Sequence, residues 1–412
     1  MDYELLAIPG TKHNANPEIL HSELLSVRLL QTCMMTDFLK ITDFLDPVDI
    51  HLLSNDEVYK EGQIGNNMAI FTKVFPDIDQ AAIILVGCNE VRGHGASRKN
   101  NHAPDAIRCQ FYKLFHYHMD IKLADIGNIK QGITLSDTYA ALKTVVSELV
   151  NCGKTVIILG GSHDLTLAQY HAYADSKNII EMACVDSRMD LSIEMQEPSE
   201  KFLMQILTGE PNYIRHYNHI GFQSYYVHPR ILETMDKLRF DCYRLGNVRE
   251  NIEEMEPVIR NCQLFSFDIS AIAHAFAPAN SESPNGFDGE QACVLMRYAG
   301  LSANVNTIGI YGYFPEEDRN NLTAKQISQM LWYLLDGKSR GMREAMLEDK
   351  DAFLEFTTAF TEVNTVFLQS KKTGRWWMQL PDHTFIACSY KDYQLASSNE
   401  IPERWLRAQE RS

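Results

Sequence analysis

Three short segments of the sequence place carboxylate and imidazole groups directly after apolar runs. They are GGSHD (160–164), VDSRMD (185–190) and FSFDIS (265–270). One acid at such a position commonly caps the helix that follows, so a single segment carries little information. Three together favour a different interpretation, because clustered carboxylates repel one another and stay ionised only beside a cation. These residue types can bind a divalent metal ion. Without an ion, the guanidinium of an arginine could neutralise the carboxylates instead.

The elements that would bring these segments together are strands of a parallel sheet. Short apolar runs alternate with stretches of helical periodicity, which is typical of βαβ units. The runs predicted as strands are AAIILVG (81–87), KTVIILG (154–160), IEMACVD (180–186), HIGF (219–222), QLFSFD (263–268) and NTIGIYGY (306–313). The predicted fold class is α/β, with three αβα layers around a mostly parallel sheet. Ligands of such sheets bind beyond the carboxyl ends of the strands, where all three segments lie.

The helical pattern also suggests a domain organisation. It is clearest in residues 137–153 and 322–337, each closed by a glycine. Asp137 is predicted to cap the start of the first helix and Gly153 to end it. The chain then divides into an N-terminal elaboration (1–75), an α/β core (76–337) and an aromatic-rich C-terminal extension (338–412). We expect the extension to pack on the core or at a subunit contact, because it holds three large aromatic anchors: Trp376, Trp377 and Trp405.

The overall charge and cysteine content exclude several classes of partner. The formal net charge is −16 at pH 7 and we find no basic patch, which argues against nucleic acid or an anionic membrane. Nine cysteines are dispersed without a CxxC pair, as in proteins with reduced thiols. The sequence shows no signal peptide and no stretch of about 18 apolar residues. We therefore expect a soluble, cytoplasmic protein.

The three segments also resemble the signature segments of the ureohydrolases, the family of arginase, agmatinase and formimidoylglutamase. In that family they read approximately GGDHS, DAHxD and SxDxDxxDP. Here they read GGSHD, VDSRMD and SFDIS, the last followed by AFAPA. APDAIR (103–108) and LADIGNI (123–129) extend the resemblance over about 81–335, and it is nearest to bacterial formimidoylglutamase-like proteins. The resemblance implies an arginase-like fold and two Mn²⁺ ions bridged by a hydroxide that attacks a guanidinium or formimidoyl carbon.

Carried over residue by residue, the resemblance implies a degenerate metal centre. Four positions match the ligands of one ion: His163, Asp186, Asp190 and Asp268. Two ligands of the second ion are replaced, because Arg188 stands at the histidine of DAHxD and Ser270 at the second aspartate of SxDxD. The position of the catalytic glutamate corresponds to Gly312. The expected cofactor is therefore one Mn²⁺, or no metal.

Further polar residues complete the predicted site. Arg188 stays protonated under all ordinary conditions, so we expect its guanidinium to replace the second cation among the carboxylates. The pocket is also predicted to include four residues from two loops: Glu90, Arg92, Ser162 and Asp164. His94 follows Glu90 and Arg92 after the first strand. These three residues either line the pocket or belong to a solvated loop, and the loop is the more common arrangement.

Two functions fit these residues. The first is a hydrolase of linear amidines, similar to formimidoylglutamase, with a one-metal centre. The second is a non-catalytic member of the same fold that acts as a binding or assembly component. The loss of two metal ligands and of the catalytic glutamate favours the non-catalytic function. Catalytic residues that act together lose most of their effect when any of them is absent. The partner would be a small amidine-like molecule or a protein, and a homo-oligomer is compatible with both functions.

Overall fold

The computed structural model describes residues 41–49, 59–95, 102–118, 120–192, 196–360 and 363–411. The chain divides into two compact units, Met1–Asp43 and Phe44–Ser412. Most of the predicted N-terminal elaboration (1–75) lies outside the described residues. No helix among those residues is both long enough and apolar enough to cross a membrane.

A mostly parallel sheet forms the centre of the second unit. Its strands in chain order are β1 (Leu45–Asp46), β2 (Ala69–Ile70), β3 (Ile83–Gly87), β4 (Leu123–Ile129), β5 (Thr155–Leu159), β6 (Ile180–Val185), β7 (Ile214–Phe222), β8 (Asp241–Arg244), β9 (Leu264–Asp268) and β10 (Thr307–Tyr311). Among these described strands, β1 alone pairs antiparallel to its neighbour. The predicted fold class is confirmed, and all six predicted strands are present.

Helices cover both faces of this sheet. They are α1 (Ile64–Asn67), α2 (Ala103–Phe111), α3 (Leu135–Asn151), α4 (Leu165–Ala174), α5 (Phe202–Thr208), α6 (Pro229–Lys237), α7 (Leu245–Glu250), α8 (Met255–Arg260), α9 (Gly289–Leu301) and α10 (Leu322–Gly341). Because both faces are covered, central strands such as β3 (IILVG) and β5 (TVIIL) are buried along their whole length. This burial explains why continuous apolar runs predicted them.

The strand order brings the three predicted segments to one edge of the sheet. The order is β1-β4-β3-β5-β10-β9-β6-β7-β8, and β2 also pairs with β4. Strands β5 and β6 follow one another in the chain but are not neighbours in the sheet, because β10 and β9 lie between them. Strands β5, β10, β9 and β6 therefore lie side by side and parallel. GGSHD, FSFDIS and VDSRMD all lie at the carboxyl ends of these neighbours.

Helix α3 begins earlier than predicted and has a different cap. Thr134 is its N-cap, and the Thr134 hydroxyl accepts from the backbone N–H of Asp137 at 3.2 Å. The Asp137 carboxylate accepts in return from the backbone N–H of Thr134 at 2.7 Å, which completes a capping box. Asp137 thus stabilises the start of the helix from its third position. Gly153 follows the helix with φ of +73°, as expected of a residue beyond a C-cap.

Helix α10 continues past Gly337, so the core boundary predicted at that residue falls inside a helix. Gly337 lies against α9, and a Cβ on it would stand 2.2 Å from the carbonyl oxygen of Arg297. Gly300 on α9 approaches α10 in the same way, since its Cβ would stand 2.1 Å from the carbonyl oxygen of Leu334. These glycines permit close helix packing and do not end the helix.

A second, antiparallel sheet follows α10 and forms what we call the C-terminal module (353–411). Its elements are β11 (Phe353–Phe360), β12 (Val363–Ser370), β13 (Trp376–Gln379), β14 (Phe385–Cys388), α11 (Tyr390–Ser397) and α12 (Glu403–Arg411). Its three tryptophans are buried. Arg260 at the end of α8 donates to the carbonyl oxygen of Trp376 at 2.8 Å and lies over the ring of Trp377. The module thus packs against α8.

An ion-pair cluster joins α12 to the edge strand β8. The buried Asp241 carboxylate accepts from Arg407 at 2.7 Å and from Arg411, and His216 Nε2 lies 3.0 Å from its Oδ2. Burial alone would raise the pKa of Asp241, but His216 and Arg411 lower it to about 2. The cluster borders a cavity of about 850 Å³ between β8 and the C-terminal module.

Replacing Asp241 with asparagine should lower the free energy of unfolding by about 1–3 kcal/mol near neutral pH, because hydrogen bonds to charged groups are lost. The difference should disappear in acid. A carboxyl with a depressed folded pKa stabilises the protein above its unfolded value of about 3.9, and that stabilisation is lost as the pH falls toward its folded value. Urea unfolding of both proteins across this range measures the effect.

The control for this variant is Glu403→Gln. Glu403 also pairs with Arg407, but its side chain is largely exposed, so its loss should cost less than about 0.5 kcal/mol. An Asp241→Asn cost that stays constant between neutral pH and acid would contradict the assignment of this carboxylate as the ionised centre of the cluster.

Candidate metal centre

The carboxyl edge of the sheet brings the four predicted ligand residues together. His163 follows β5, Asp186 and Asp190 follow β6, and Asp268 ends β9. Three carboxylate oxygens surround the Nδ1 atom of His163: Asp186 Oδ2 at 3.2 Å, Asp190 Oδ2 at 3.0 Å and Asp268 Oδ2 at 3.6 Å. All four residues are at most 9 % exposed. We call these four residues the carboxylate cluster, with the imidazole at its centre.

The other side of the His163 ring is held by the core. Its Nε2 atom lies 3.0 Å from the hydroxyl of Ser266, which is in turn 2.8 Å from the hydroxyl of Thr166. The Sγ atom of Cys184 lies 3.6 Å from the same nitrogen. Phe202 packs on the ring with the centroids 4.6 Å apart. These contacts orient the ring so that Nδ1 points at the carboxylates.

Charge is distributed unequally within the carboxylate cluster. Burial alone would lower the pKa of His163, but Cys184, Asp186 and Asp190 raise it well above its ordinary value. Burial raises the pKa of Asp190, and the charges of Asp186 and Asp268 add to that rise. Burial would also raise the pKa of Asp186, but His163 lowers it. An imidazolium–carboxylate ion pair therefore holds the cluster together.

Ser270 stands where the resemblance places a ligand of a second ion, and here it acts through hydrogen bonds. Its hydroxyl donates to Asp186 Oδ1 at 2.8 Å and accepts from the hydroxyl of Ser187 at 3.0 Å. Its backbone N–H donates to Asp268 Oδ1 at 2.7 Å. Ser270 thus binds the Oδ1 atoms of Asp186 and Asp268, neither of which faces His163.

Arg188 does not occupy the position predicted for it. Its guanidinium pairs with Glu282 at 2.8 Å and lies over the ring of Tyr226, and the side chains of the ion pair are each 40 % exposed. Its backbone N–H donates to Asp186 at 3.1 Å. The prediction that its guanidinium neutralises the carboxylates is wrong, because His163 takes that place. Glu282 offers the arginine a partner without the cost of full burial.

A small cavity of about 40 Å³ opens beside His163. Its walls include His94, as expected for the loop after β3, and also Ser270, Glu282 and Gly312. A water molecule needs roughly 10–15 Å³ by this measure, so the cavity has room for a few waters. An amidine the size of an amino acid does not fit without movement of the surrounding side chains.

Two of the predicted pocket residues form an ion pair elsewhere. The buried Glu90 accepts from Arg92 Nε at 2.9 Å and from the hydroxyl of Thr138 at 2.9 Å. Arg92 also donates to the carbonyl oxygens of Ile133 and Gly132, at 2.7 and 3.0 Å. The pair ties the loop after β3 to the start of α3. The prediction that Glu90 and Arg92 line the pocket is therefore wrong, because these hydrogen bonds turn both side chains toward α3.

Ser162 and Asp164 flank His163, but their side chains contact other groups. The Asp164 carboxylate accepts from the hydroxyl of Tyr139 and lies against Gly93, where a Cβ would stand 2.0 Å from its Oδ1. Burial raises the pKa of Asp164. The Ser162 hydroxyl lies 3.4 Å from the carbonyl oxygen of Glu90. Neither residue borders the small cavity, so their assignment to the pocket is also wrong.

The resemblance assigns the position of the family's catalytic glutamate to Gly312. Its φ is +76°, in the left-handed region that favours glycine. A Cβ at this position would stand 2.6 Å from Asp268 Oδ2. The close approach of the backbone to Asp268 therefore excludes any side chain here, including that of glutamate.

Two neighbours of the carboxylate cluster, Cys184 and Ser266, were not predicted from the sequence. Each precedes an aspartate of the cluster by two residues, so strand alternation places both pairs on common faces and could have revealed them. Among the described residues, one set of His, Cys, Asp or Glu side chains has all its ligand atoms within 4.8 Å of one another: His163, Cys184 and Asp186. Cysteines had been discounted because none forms a CxxC pair.

The donor set of this centre fits one divalent ion. Nδ1 of His163 with the surrounding carboxylates supplies nitrogen and oxygen ligands of the kind that Mn²⁺ takes. A second ion would need ligands that Arg188 and Ser270 do not provide, since the first faces Glu282 and the second donates a hydrogen bond.

Comparison with known proteins supports the resemblance. The model of the arginase family matches residues 80–336. Formimidoylglutamase of Staphylococcus haemolyticus is 23% identical over 270 residues, which cover 60% of this chain and 82% of that protein. Formimidoylglutamase of Staphylococcus aureus (strain MRSA252) is 25% identical over 243 residues, covering 56% of this chain and 78% of that protein.

Solved structures share the fold at low sequence identity. Trypanosoma cruzi formiminoglutamase, solved with a pair of Mn²⁺ ions, gives a TM-score of 0.60 at 16% identity, covering 68% of this chain and 99% of that one. Agmatine ureohydrolase of Thermoplasma volcanium gives 0.55 at 19% identity, covering 70% and 98%. Together with the sheet order and the strand-end cluster, the family match over most of the α/β core shows that this chain belongs to the arginase family.

Proposed function

We propose that this chain does not hydrolyse amidines and uses the arginase fold as a binding or assembly component. The observation that carries the proposal is the state of the second-ion position, where Ser270 binds two carboxylates and Arg188 pairs with Glu282. Paired ions clamp the attacking and leaving groups and generate hydroxide at neutral pH. A guanidinium paired with Glu282 and a serine hydroxyl supply neither effect.

Two further features support the same proposal. Gly312 leaves no room for a glutamate side chain beside Asp268, and the cavity next to His163 has space for a few waters. Catalytic residues that act as a unit lose their effect together when several are absent. A single surviving ligand set is therefore weak support for turnover.

The C-terminal module is the segment to which we assign the assembly role. It lies beyond residues 80–336, the part of the chain that matches the family model. Its partner would be a protein, including a second copy of this chain, while the strand-end centre would hold at most one ion or a small amidine-like molecule. We place the protein in the cytoplasm because its nine cysteines are dispersed along the sequence without a CxxC pair.

A one-metal amidine hydrolase is the second candidate. The observation that favours it is the arrangement of three carboxylate oxygens within 3.0–3.6 Å of His163 Nδ1, which preserves the ligand set of one ion. One ion there would polarise a carbon–nitrogen centre as a Lewis acid. This candidate requires that the small cavity open to admit substrate.

Metal content and turnover together test the proposal. After removal of bound metal and loading with Mn²⁺, the purified protein should contain no more than one ion per chain. It should release neither formamide from formimidoylglutamate nor urea from agmatine or arginine. Asp186→Asn serves as the control, since activity that survives in this variant comes from a contaminant. Turnover with one ion would establish the second candidate, and turnover with two would show that Arg188 and Ser270 are misassigned.

A further inference from the structure

We propose that two copies of this chain pair antiparallel through the outer edge of strand β11, the edge that faces away from β12. The two four-stranded sheets of the C-terminal modules then join into one sheet of eight strands. This inference rests on the assembly role proposed for the module and names its partner, a second copy of the chain. The module lies beyond the residues that match the family model, so the resemblance to the ureohydrolases does not imply this contact.

Strand β11 is a long edge strand without the features that usually prevent further pairing. Among the described strands, β12 alone pairs with it, and the register runs without a shift from Phe353 to Phe360. Exposed edges commonly carry lysine, proline or a bulge, which keep another strand from adding to the sheet. Strand β11 reads FLEFTTAF and holds one charged residue, Glu355, with no proline or glycine. An edge of this kind accepts another strand through backbone hydrogen bonds.

The ladder with β12 determines which backbone groups of β11 face outward. The backbone N–H of Lys371 donates to the carbonyl oxygen of Ala352 at 2.9 Å, so these two residues form a hydrogen-bonded pair just before the strand. Such pairs alternate in an antiparallel ladder, so the even-numbered residues of β11 bond to β12. The odd-numbered ones direct their N–H and C=O groups outward, among them Glu355, Thr357 and Ala359. All three are exposed, which leaves the outer edge accessible.

Charge selects one register for two identical strands related by a two-fold axis. With Thr357 on the axis, Glu355 lies opposite Ala359 of the second copy, and Leu354 lies opposite Phe360. The two Glu355 residues are then four positions apart along the strands, roughly 14 Å, which exceeds the Debye length of about 8 Å. An axis at Glu355 would place like charges directly opposite, which is destabilising. The favoured register also covers Leu354, which is 45% exposed in the single chain.

Cysteine cross-linking of the full-length protein tests this register. Two residues opposite one another in a hydrogen-bonded pair have Cα atoms about 5.5 Å apart, a separation that a disulfide spans. Thr357→Cys should therefore form a disulfide-linked dimer under mild oxidation. Glu355→Cys is the matched control, because it lies on the same face of the same exposed strand but its two copies would be roughly 14 Å apart. The parent protein measures the background from its own thiols.

Two substitutions at Ala359 test the contact without a cross-link. Sedimentation velocity over a dilution series should show that the parent forms dimers. Ala359→Lys should lower the dissociation constant of the dimer roughly threefold to tenfold, because the two-fold axis places a lysine opposite Glu355 twice. Ala359→Glu should raise the constant by a similar factor. Position 359 is exposed, and circular dichroism verifies that both variants fold.

Three results would overturn the inference: a parent that stays monomeric throughout the series, Thr357→Cys that cross-links no faster than Glu355→Cys, or dimers that respond alike to the two Ala359 variants. A monomeric parent would leave this edge to a strand of another protein, and indifferent dimers would use another surface. The assembly role would stand in both cases. Turnover of an amidine would overturn the proposed function and leave the pairing of β11 intact, so the two proposals can fail separately.

Discussion

Replacing Arg108 with alanine should lower the free energy of unfolding by about 3–5 kcal/mol, a large part of the stability of an ordinary domain. The side chain is fully buried on α2. Its Nε and Nη2 bind the carboxylate of Asp125 on β4 at 2.8 and 2.9 Å. Further bonds run to Asp105, Asn128 and the carbonyl oxygen of Gly127. Removing the arginine leaves the buried Asp125 without its cation, which costs more than the bonds themselves contribute.

Two comparisons make this prediction specific. Arg215→Ala should cost less than about 1 kcal/mol, because Arg215 pairs with Glu181 while its own side chain is 67% exposed. Arg108→Met combined with Asp125→Leu should recover the part of the loss that comes from the unpaired Asp125 charge, but not the hydrogen bonds of Tyr112, Asn128 and Gly127. Urea unfolding followed by circular dichroism measures all three. A small loss for Arg108→Ala would mean that the Asp125 charge is relieved in another way.

The central strands could be predicted from sequence because both of their faces are buried. Strand β5 reads TVIIL and strand β3 reads IILVG, and every residue of each is buried. Continuous apolar runs of this kind are typical of parallel strands covered by helices. The edge strand β8 reads DCYR and was missed, because half-exposed edges carry no such run.

The C-terminal module could not be predicted beyond its tendency to pack. Strand β11 (FLEFTTAF) buries only its first and last residues, and β12 mixes buried and partly buried positions. Its stabilisation comes from contacts between distant residues, such as that of Arg260 with the carbonyl oxygen of Trp376. A high aromatic content indicates that a segment packs against other residues, but it does not predict which residues form strands or how the strands pair.

The residues of the site could be predicted where the end of a strand determines their position. His163, Asp186 and Asp268 lie at or just beyond strand ends, so sheet topology alone brings them together. Arg188 lies beyond the end of β6, where strand alternation no longer determines side-chain direction. Its partner Glu282 is 94 residues further along the chain, and no local pattern connects the two. The role of neutralising the carboxylates was therefore assigned to the wrong residue.

Replacing His163 with alanine should have an effect as large as the loss of Arg108, about 3–5 kcal/mol. The imidazole lies 3.0–3.6 Å from three buried carboxylates, and no other described cation pairs with them in the structure. Without it, the carboxylates face one another in a region of low dielectric constant. Arg188→Ala is the matched control. It removes the cation two residues after Asp186, but its ion pair with Glu282 is 40 % exposed and should contribute less than about 1 kcal/mol.

Added divalent ions should change the stability of the His163→Ala and Arg188→Ala variants by different amounts. Added Mn²⁺ should recover part of the loss in His163→Ala, because an ion bound only by the folded state stabilises it, by about 2.7 kcal/mol at a hundredfold excess over its dissociation constant. The carboxylates remain as hard ligands when the imidazole is gone. Arg188→Ala should gain no more from Mn²⁺ than the parent does. Thermal melts with and without Mn²⁺ measure both responses. If Arg188→Ala proved the more costly and the more responsive to metal, the guanidinium would be the neutralising group, and His163 would have to be reassigned as a hydrogen-bonding residue of the core.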